Sequence, residues 1–209
     1  MLNFFSPRLI RLGRVIKNKQ GYTLIELTVS MAVIVIISSI ALVNFRGHDM
    51  RNKVDLAAYK LASDIRKVQG YALSLKEFDI GGSMEVPDRG WGMYFRKNNP
   101  NNTFYIVFAD GDNVDTDNCA YDNVNELLNP IINIIDGVKI SGLKINGGNT
   151  VVFNMIFEPP NPIIYLCRNT VSCAGAQCNY ENAEIILSDS GGAYTRTIKV
   201  NKFGLVDVE

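Results

Sequence analysis

Residues Tyr22–Phe45 read YTLIELTVSMAVIVIISSIALVNF, 24 residues with a single charge, Glu26. At about 1.5 Å rise per residue a helix of this length reaches roughly 36 Å, enough to cross a hydrocarbon core of about 30 Å with some tilt. A helix apolar on every face must otherwise be enclosed by a large protein. A chain of 209 residues has room for one ordinary domain and an appendage. A membrane-spanning helix over 22–45 is therefore the expectation, and it constrains everything that follows.

Charge gives the span a direction. Residues 1–21 carry five basic side chains (Arg8, Arg11, Arg14, Lys17, Lys19) and no acid. The whole chain has 21 basic and 21 acidic residues, so the remainder carries a net −5. A basic head before an apolar run, with only Arg46 just after it, places the N-terminus in the cytoplasm and the rest outside. A secretory signal has a shorter apolar core followed by small residues at the cut. Here the polar segment ends in Gly21 and the apolar run starts at Tyr22, with a carboxylate four residues on. A charge within a membrane span costs about 2.5–3.5 kcal/mol on insertion scales and marks function. Cleavage after Gly21 would release the amino group of Tyr22 one helical turn from Glu26, a cation for that carboxylate to meet.

The stretch Gly21-Tyr22-Thr23-Leu24-Ile25-Glu26-Leu27 with the apolar run behind it resembles the prepilin peptidase site of the type IV pilin and type II secretion pseudopilin superfamily. The resemblance implies cleavage after Gly21, N-methylation of Tyr22, and pairing of Glu26 with the N-terminus of a neighbouring subunit. Tyr22 stands where the family more often has Phe. Later stretches, Tyr105–Asn113 with Glu126-Leu127-Leu128, Val152–Pro160 and Arg196–Leu205, loosely resemble the H-type minor pseudopilins and their FimT-like relatives.

After the span the pattern turns amphipathic. Met50, Val54, Ala58, Leu61, Ile65, Val68, Ala72 and Leu75 recur at spacings of four and three, while the charges fall off that stripe. One helix over Tyr22–Leu75 is expected, with Gly47 and Gly70 as soft points. Beyond Gly81-Gly82 the period changes to short β-branched and aromatic runs between Gly, Asn and Pro: Trp91–Phe95, Phe104–Phe108, Val138–Leu143, Thr150–Phe157, Ile163–Leu166, Glu184–Leu187, Thr195–Val200 and Leu205–Val208. Strands without intervening helices argue for antiparallel pairing. The predicted fold is α+β: a long N-terminal helix, transmembrane in one half and amphipathic in the other, packed on an antiparallel β-sheet domain, as in pilins. The expected organisation is a basic leader 1–21, a transmembrane and assembly helix 22–45, an amphipathic helix 46–79 and an extracytoplasmic β-rich head 80–209.

Candidate chemistry is sparse. Asp110, Asp112, Asp115, Asp117 and Asp122 crowd one loop, and hard oxygen ligands at such spacing suit Ca²⁺. Asp115 stands where an EF-hand needs its glycine, and a solvated loop in which Asp and Asn turn the backbone competes with calcium. A metal-dependent sugar transferase would want parallel αβ units that the pattern lacks. Cys119, Cys167, Cys173 and Cys178 lie in the exported half, where an even number favours disulfides; they allow three connectivities, and no Cys-x-x-Cys pair supports zinc. The one histidine, His48, follows the span and reads as an interfacial polar residue. No nucleotide, hydrolase or metalloprotease motif is present.

The expectation is a structural subunit and not an enzyme, without a cofactor unless the acidic loop takes Ca²⁺. Its partners would be other pilins or pseudopilins, prepilin peptidase, a membrane assembly platform and the bilayer. It would sit in the bacterial cytoplasmic membrane and then in the filament. The rival is a pilus-tip module for DNA or surfaces. The tail holds Arg196, Lys199 and Lys202 but ends Asp207-Val208-Glu209, and DNA wants a basic groove.

Overall fold

The computed structural model describes residues 21–80, 83–87, 89–98, 100–110, 121, 131–160, 164–168 and 180–209, with backbone alone at 41–48, 80 and 110. The order is α1 (Leu24–Leu73), β1 (Phe78–Ile80), β2 (Ser83–Glu85), β3 (Gly90–Arg96), β4 (Phe104–Asp110), β5 (Ile131–Asn133), β6 (Val138–Ile145), β7 (Gly148–Thr150), β8 (Val152–Phe157), β9 (Ile164–Arg168), β10 (Asn182–Asp189), β11 (Thr195–Asn201) and β12 (Val206–Val208). The chain divides into two units, Met1–Asn44 and Phe45–Glu209.

In the first unit the described side chains of α1 are exposed from Leu24 to Ile40. Among the described residues no helix is long and apolar enough to cross a membrane. The described side chains stop at Ile40, five residues short of the segment read to Phe45.

In the second unit α1 buries Val54, Ala57, Ala58, Leu61, Ala62, Ile65, Val68 and Ala72. The expected stripe is there, widened by two alanines and trimmed at its ends. Met50 is only half-buried and Leu75 is exposed. Leu75 leaves the stripe because the helix has already ended. Its N–H donates to Ala72 O (3.1 Å) and that of Lys76 to Tyr71 O (2.9 Å), while Leu75 adopts φ 50°. This pair of bonds is a Schellman stop, whose left-handed position usually belongs to glycine. The helix therefore stops at Leu73, and residues 78–79, read as helix, are strand. The Lys76 carbonyl accepts from Trp91 Nε1 (3.3 Å) and its ammonium lies 3.7 Å from the Tyr71 ring centroid, so the stop is clamped to β3.

Every ladder is antiparallel. The strands form two five-stranded sheets, in orders β12-β11-β10-β6-β7 and β5-β4-β3-β8-β9, with β1-β2 as a separate hairpin. The expected antiparallel β domain is thus built of two large sheets. The reason lies in the inner faces: Ile140, Leu143, Ile185, Leu187, Ile198 and Val200 from one sheet meet Met93, Phe95, Phe153, Met155, Phe157 and Leu166 from the other in one core that includes the α1 stripe. The sheet centred on β3 is buried on its outer face too, by Tyr94, Ile106, Phe108, Ile156 and Cys167 with Tyr121 against them. This double burial explains why β3 reads as an unbroken apolar run while β6 alternates. Gly92 pairs with Phe108, whose ring covers the glycine: a Cβ there would stand 2.5–2.6 Å from two ring carbons. Strands β1, β2, β5 and β7 have three residues each, too short to stand out in the sequence.

Two side-chain pairs tie α1 to the sheets. Arg196 Nε on β11 donates to Asp55 Oδ1 (2.5 Å), and Tyr105 Oη on β4 donates to Asp64 Oδ2 (2.5 Å). Burial, and then the carboxylate, push the Tyr105 phenol well above its ordinary range, so it remains a donor.

Candidate functional site

Thr23 begins the site. It is the residue before α1, and its Oγ1 accepts the Glu26 backbone N–H at 3.3 Å while its carbonyl accepts the Leu27 N–H at 3.2 Å. These are the bonds of an N-cap, which satisfies helix donors that have no partner of their own. Thr-Leu-Ile-Glu also has the spacing of a capping box, with Glu26 at the third helical position. A carboxylate in the first turn is favoured by the helix dipole. The residues that place Glu26 are thus the same ones that start the helix. In the sequence, the signal for Thr23 is a Ser/Thr-x-x-Glu pattern before an apolar run.

Gly21 lies just outside the helix, exposed, and a Cβ built on it meets nothing within 4 Å. Tyr22 is 82% exposed. The junction between them is therefore open to an enzyme approaching the backbone.

Behind the cap the apolar side chains have no cover: Leu24, Ile25, Val35, Ile36, Ile37 and Ile40 are all more than half exposed. Three of the hydroxyls among them are already satisfied. Thr28 Oγ1 donates to Ile25 O (2.9 Å), Ser30 Oγ to Glu26 O (2.7 Å) and Ser39 Oγ to Val35 O (2.8 Å). Bonding back to the helix removes the cost of carrying a hydroxyl into apolar surroundings. In this stretch Glu26 is the one ionisable side chain after Tyr22.

Residues 16–42 match the prokaryotic N-terminal methylation motif. The match brackets the whole site, from Lys17 and Lys19 through Gly21, Tyr22, Thr23 and Glu26 into the apolar helix. It supports a type IV pilin-like protein. No curated protein and no solved structure matches the chain.

The other expected sites divide between described and undescribed residues. Asp110 ends β4, and Asp112, Asp115, Asp117 and Asp122 lie outside the described residues. Among the described residues no three His, Cys, Asp or Glu side chains are grouped to hold a metal. Cys167 is buried on β9, while Cys119, Cys173 and Cys178 lie outside the described residues. The His48 side chain also lies outside them.

The three cations of the C-terminal tail do not form a basic groove. Arg196 is held by Asp55, Lys199 Nζ by Glu209 at 2.7 Å and Lys202 Nζ by Glu181 at 3.3 Å. The hydrogen bond and charge of their carboxylates hold Arg196 and Lys199 above their ordinary pKa. Each tail cation is already matched by an acid of this chain.

Proposed function

We propose that this protein is a minor pilin or pseudopilin, a structural subunit of a type IV pilus-like or type II secretion filament. The observation that carries the reading is the methylation motif over 16–42 seated on an open junction and a capped, uncovered apolar helix. In this reading prepilin peptidase cuts after Gly21, Tyr22 becomes the N-methylated terminus, and the 22–45 helix holds the subunit in the cytoplasmic membrane by a single pass. The head, 80–209, lies outside. Transfer to the filament exchanges lipid for neighbouring helices around the same apolar side chains. Glu26 then meets the amino terminus of the adjacent subunit, because an unpaired carboxylate among apolar helices is costly and a paired one sets register. The loose resemblances in the head favour the H-type branch. The subunit performs no catalysis and needs no cofactor; its partners are other pilins, the peptidase, the assembly platform and the bilayer. The pairing of Arg196, Lys199 and Lys202 within the chain supports a filament subunit over a DNA-capturing tip.

Intact mass of the protein from its host tests the reading. The expected form lacks residues 1–21 and carries one methyl group on Tyr22. Gly21→Val should block the cut while leaving the fold alone, because the added side chain meets open space. A mature form that retains Arg8–Lys19, or normal processing of Gly21→Val, would refute it.

A further inference from the structure

A cleft of about 290 Å³ lies between α1 and the turn that joins β10 to β11. Arg51, Val54 and Asp55 line it on the helix side, and residues 193–196, Tyr194 and Arg196 among them, on the strand side. Both walls are fixed before any ligand arrives. Val54 is buried in the core. Asp189 accepts the Tyr194 N–H at 2.7 Å and the Gly191 N–H at 3.1 Å, and the Ser190 N–H donates to Gly137 O at 2.9 Å. A site held in shape in this way loses less entropy on binding.

Two guanidinium groups share the cleft, and most of their donors are unused. Asp55 takes only the Nε of Arg196, at 2.5 Å; among the described residues neither terminal nitrogen of Arg196 has a partner. Arg51 is exposed, and its side chain is in no ion pair or hydrogen bond among the described residues. The planar fork of a guanidinium matches the paired oxygens of a phosphate. Arg51 and Arg196 set against Asp55 leave the cleft a net charge of +1, which a single phosphodiester neutralises. Asp55 thus holds Arg196 on the wall without filling its fork.

The chain also brings the cleft close to a bilayer. Phe45, the last residue of the apolar run, and Arg51 belong to the same helix. Six residues of helix rise about 9 Å, while the headgroup layer reaches roughly 5–7 Å beyond the hydrocarbon on each face. Side chains on a helix lean toward its N-terminus, here the direction of the span, and the long arginine stem extends that reach. Tyr194, 36% exposed, is a residue type enriched at membrane interfaces.

We propose that this cleft binds the phosphodiester of an anionic phospholipid in the outer leaflet of the cytoplasmic membrane, with Arg51 and the terminal nitrogens of Arg196 as donors. This rests on the filament reading, in which 22–45 spans the bilayer. It adds a lipid contact that holds the head on the membrane surface until the subunit is drawn into the filament. The dianion of free phosphate fits the single net charge less well than the diester does.

A photoreactive phenylalanine analogue in place of Tyr194 tests this, in the full-length chain purified from its host and reconstituted in vesicles of equal parts phosphatidylglycerol and phosphatidylcholine. The backbone bond from residue 194 to Asp189 survives the exchange. Irradiation should give a protein–phosphatidylglycerol adduct, read by intact mass, in several-fold excess over the phosphatidylcholine adduct. Arg51→Gln should lower its yield about fivefold, the effect of one cation at a lipid surface. Lys60→Gln removes an exposed cation of the same helix outside the cleft and should leave the yield unchanged. No lipid adduct, equal yields with the two lipids, equal yields from the two variants, or loss of the adduct on adding millimolar inorganic phosphate or a DNA duplex would overturn the proposal. Intact mass of the same samples reports removal of residues 1–21 separately. A processed chain without the adduct counts against the cleft alone, and a retained leader counts against the filament reading.

Discussion

Gly92→Ala puts the outer packing of the β3-centred sheet to a quantitative test. The added methyl would sit 2.5–2.6 Å from two ring carbons of Phe108, with the ring tip nearer still. Carbons in contact settle near ~3.5 Å, so the ring must retreat by roughly 1 Å. It has little room to do so. Phe108 is fully buried, and the Tyr121 ring lies 5.6 Å away centroid to centroid, itself 5.2 Å from Tyr94. Overpacking of this kind costs about 1–3 kcal/mol. With a urea dependence of roughly 2 kcal/mol per molar, a 2 kcal/mol loss lowers the unfolding midpoint by about 1 M. Fluorescence of Trp91, the single tryptophan and a buried one, follows the transition in detergent-solubilised protein. Phe108→Leu leaves a smaller, more yielding neighbour. It should be destabilising alone, yet the double variant should be more stable than the sum of the two losses by about 1 kcal/mol. An unchanged midpoint for Gly92→Ala, or strict additivity with Phe108→Leu, would refute the view that this glycine exists to seat the ring.

Glu26→Gln keeps shape and hydrogen bonding but not charge; incorporation into filaments, measured on sheared filament fractions, should fall while the urea midpoint of the head holds, and wild-type incorporation would sink the charge-pair mechanism. Leu75→Gly should raise head stability by about 1 kcal/mol, because it removes a left-handed non-glycine residue whose side chain is half exposed; a lower midpoint would mean that Leu75 packs in a way its exposure hides. Asp189 accepts the Tyr194 N–H at 2.7 Å and the Gly191 N–H at 3.1 Å, and these bonds hold its pKa below the ordinary 3.8. A depressed carboxylate stabilises the fold above its unfolded value and loses that contribution as pH falls through its folded value, because the unfolded chain takes up the proton first. Urea midpoints should therefore drop more steeply below about pH 4 for wild type than for Asp189→Asn; parallel curves would show that these bonds do not depend on charge.

Local sequence was enough for elements whose chemistry is local. An apolar run with one carboxylate, preceded by five cations and a glycine, is legible residue by residue, and Thr23 caps the helix that carries Glu26. The amphipathic stripe from Val54 to Ala72 follows from helical spacing, and the longer strands from their β-branched and aromatic runs. What stayed hidden depends on distant partners. That the strands form two sheets is decided by ladders such as β3 with β8 and β6 with β10, which join residues far apart in the chain. The helix end at Leu73 required a leucine to accept a left-handed φ, a cost met by the clamp that Trp91 and Tyr71 place on Lys76. Arg196 reads as part of a basic tail until Asp55, 141 residues earlier, is brought against it. Periodicity and composition register what a residue needs from its neighbours. Only the tertiary structure names the neighbour, because the free energy of a long-range contact belongs to both partners and to the chain closure that unites them.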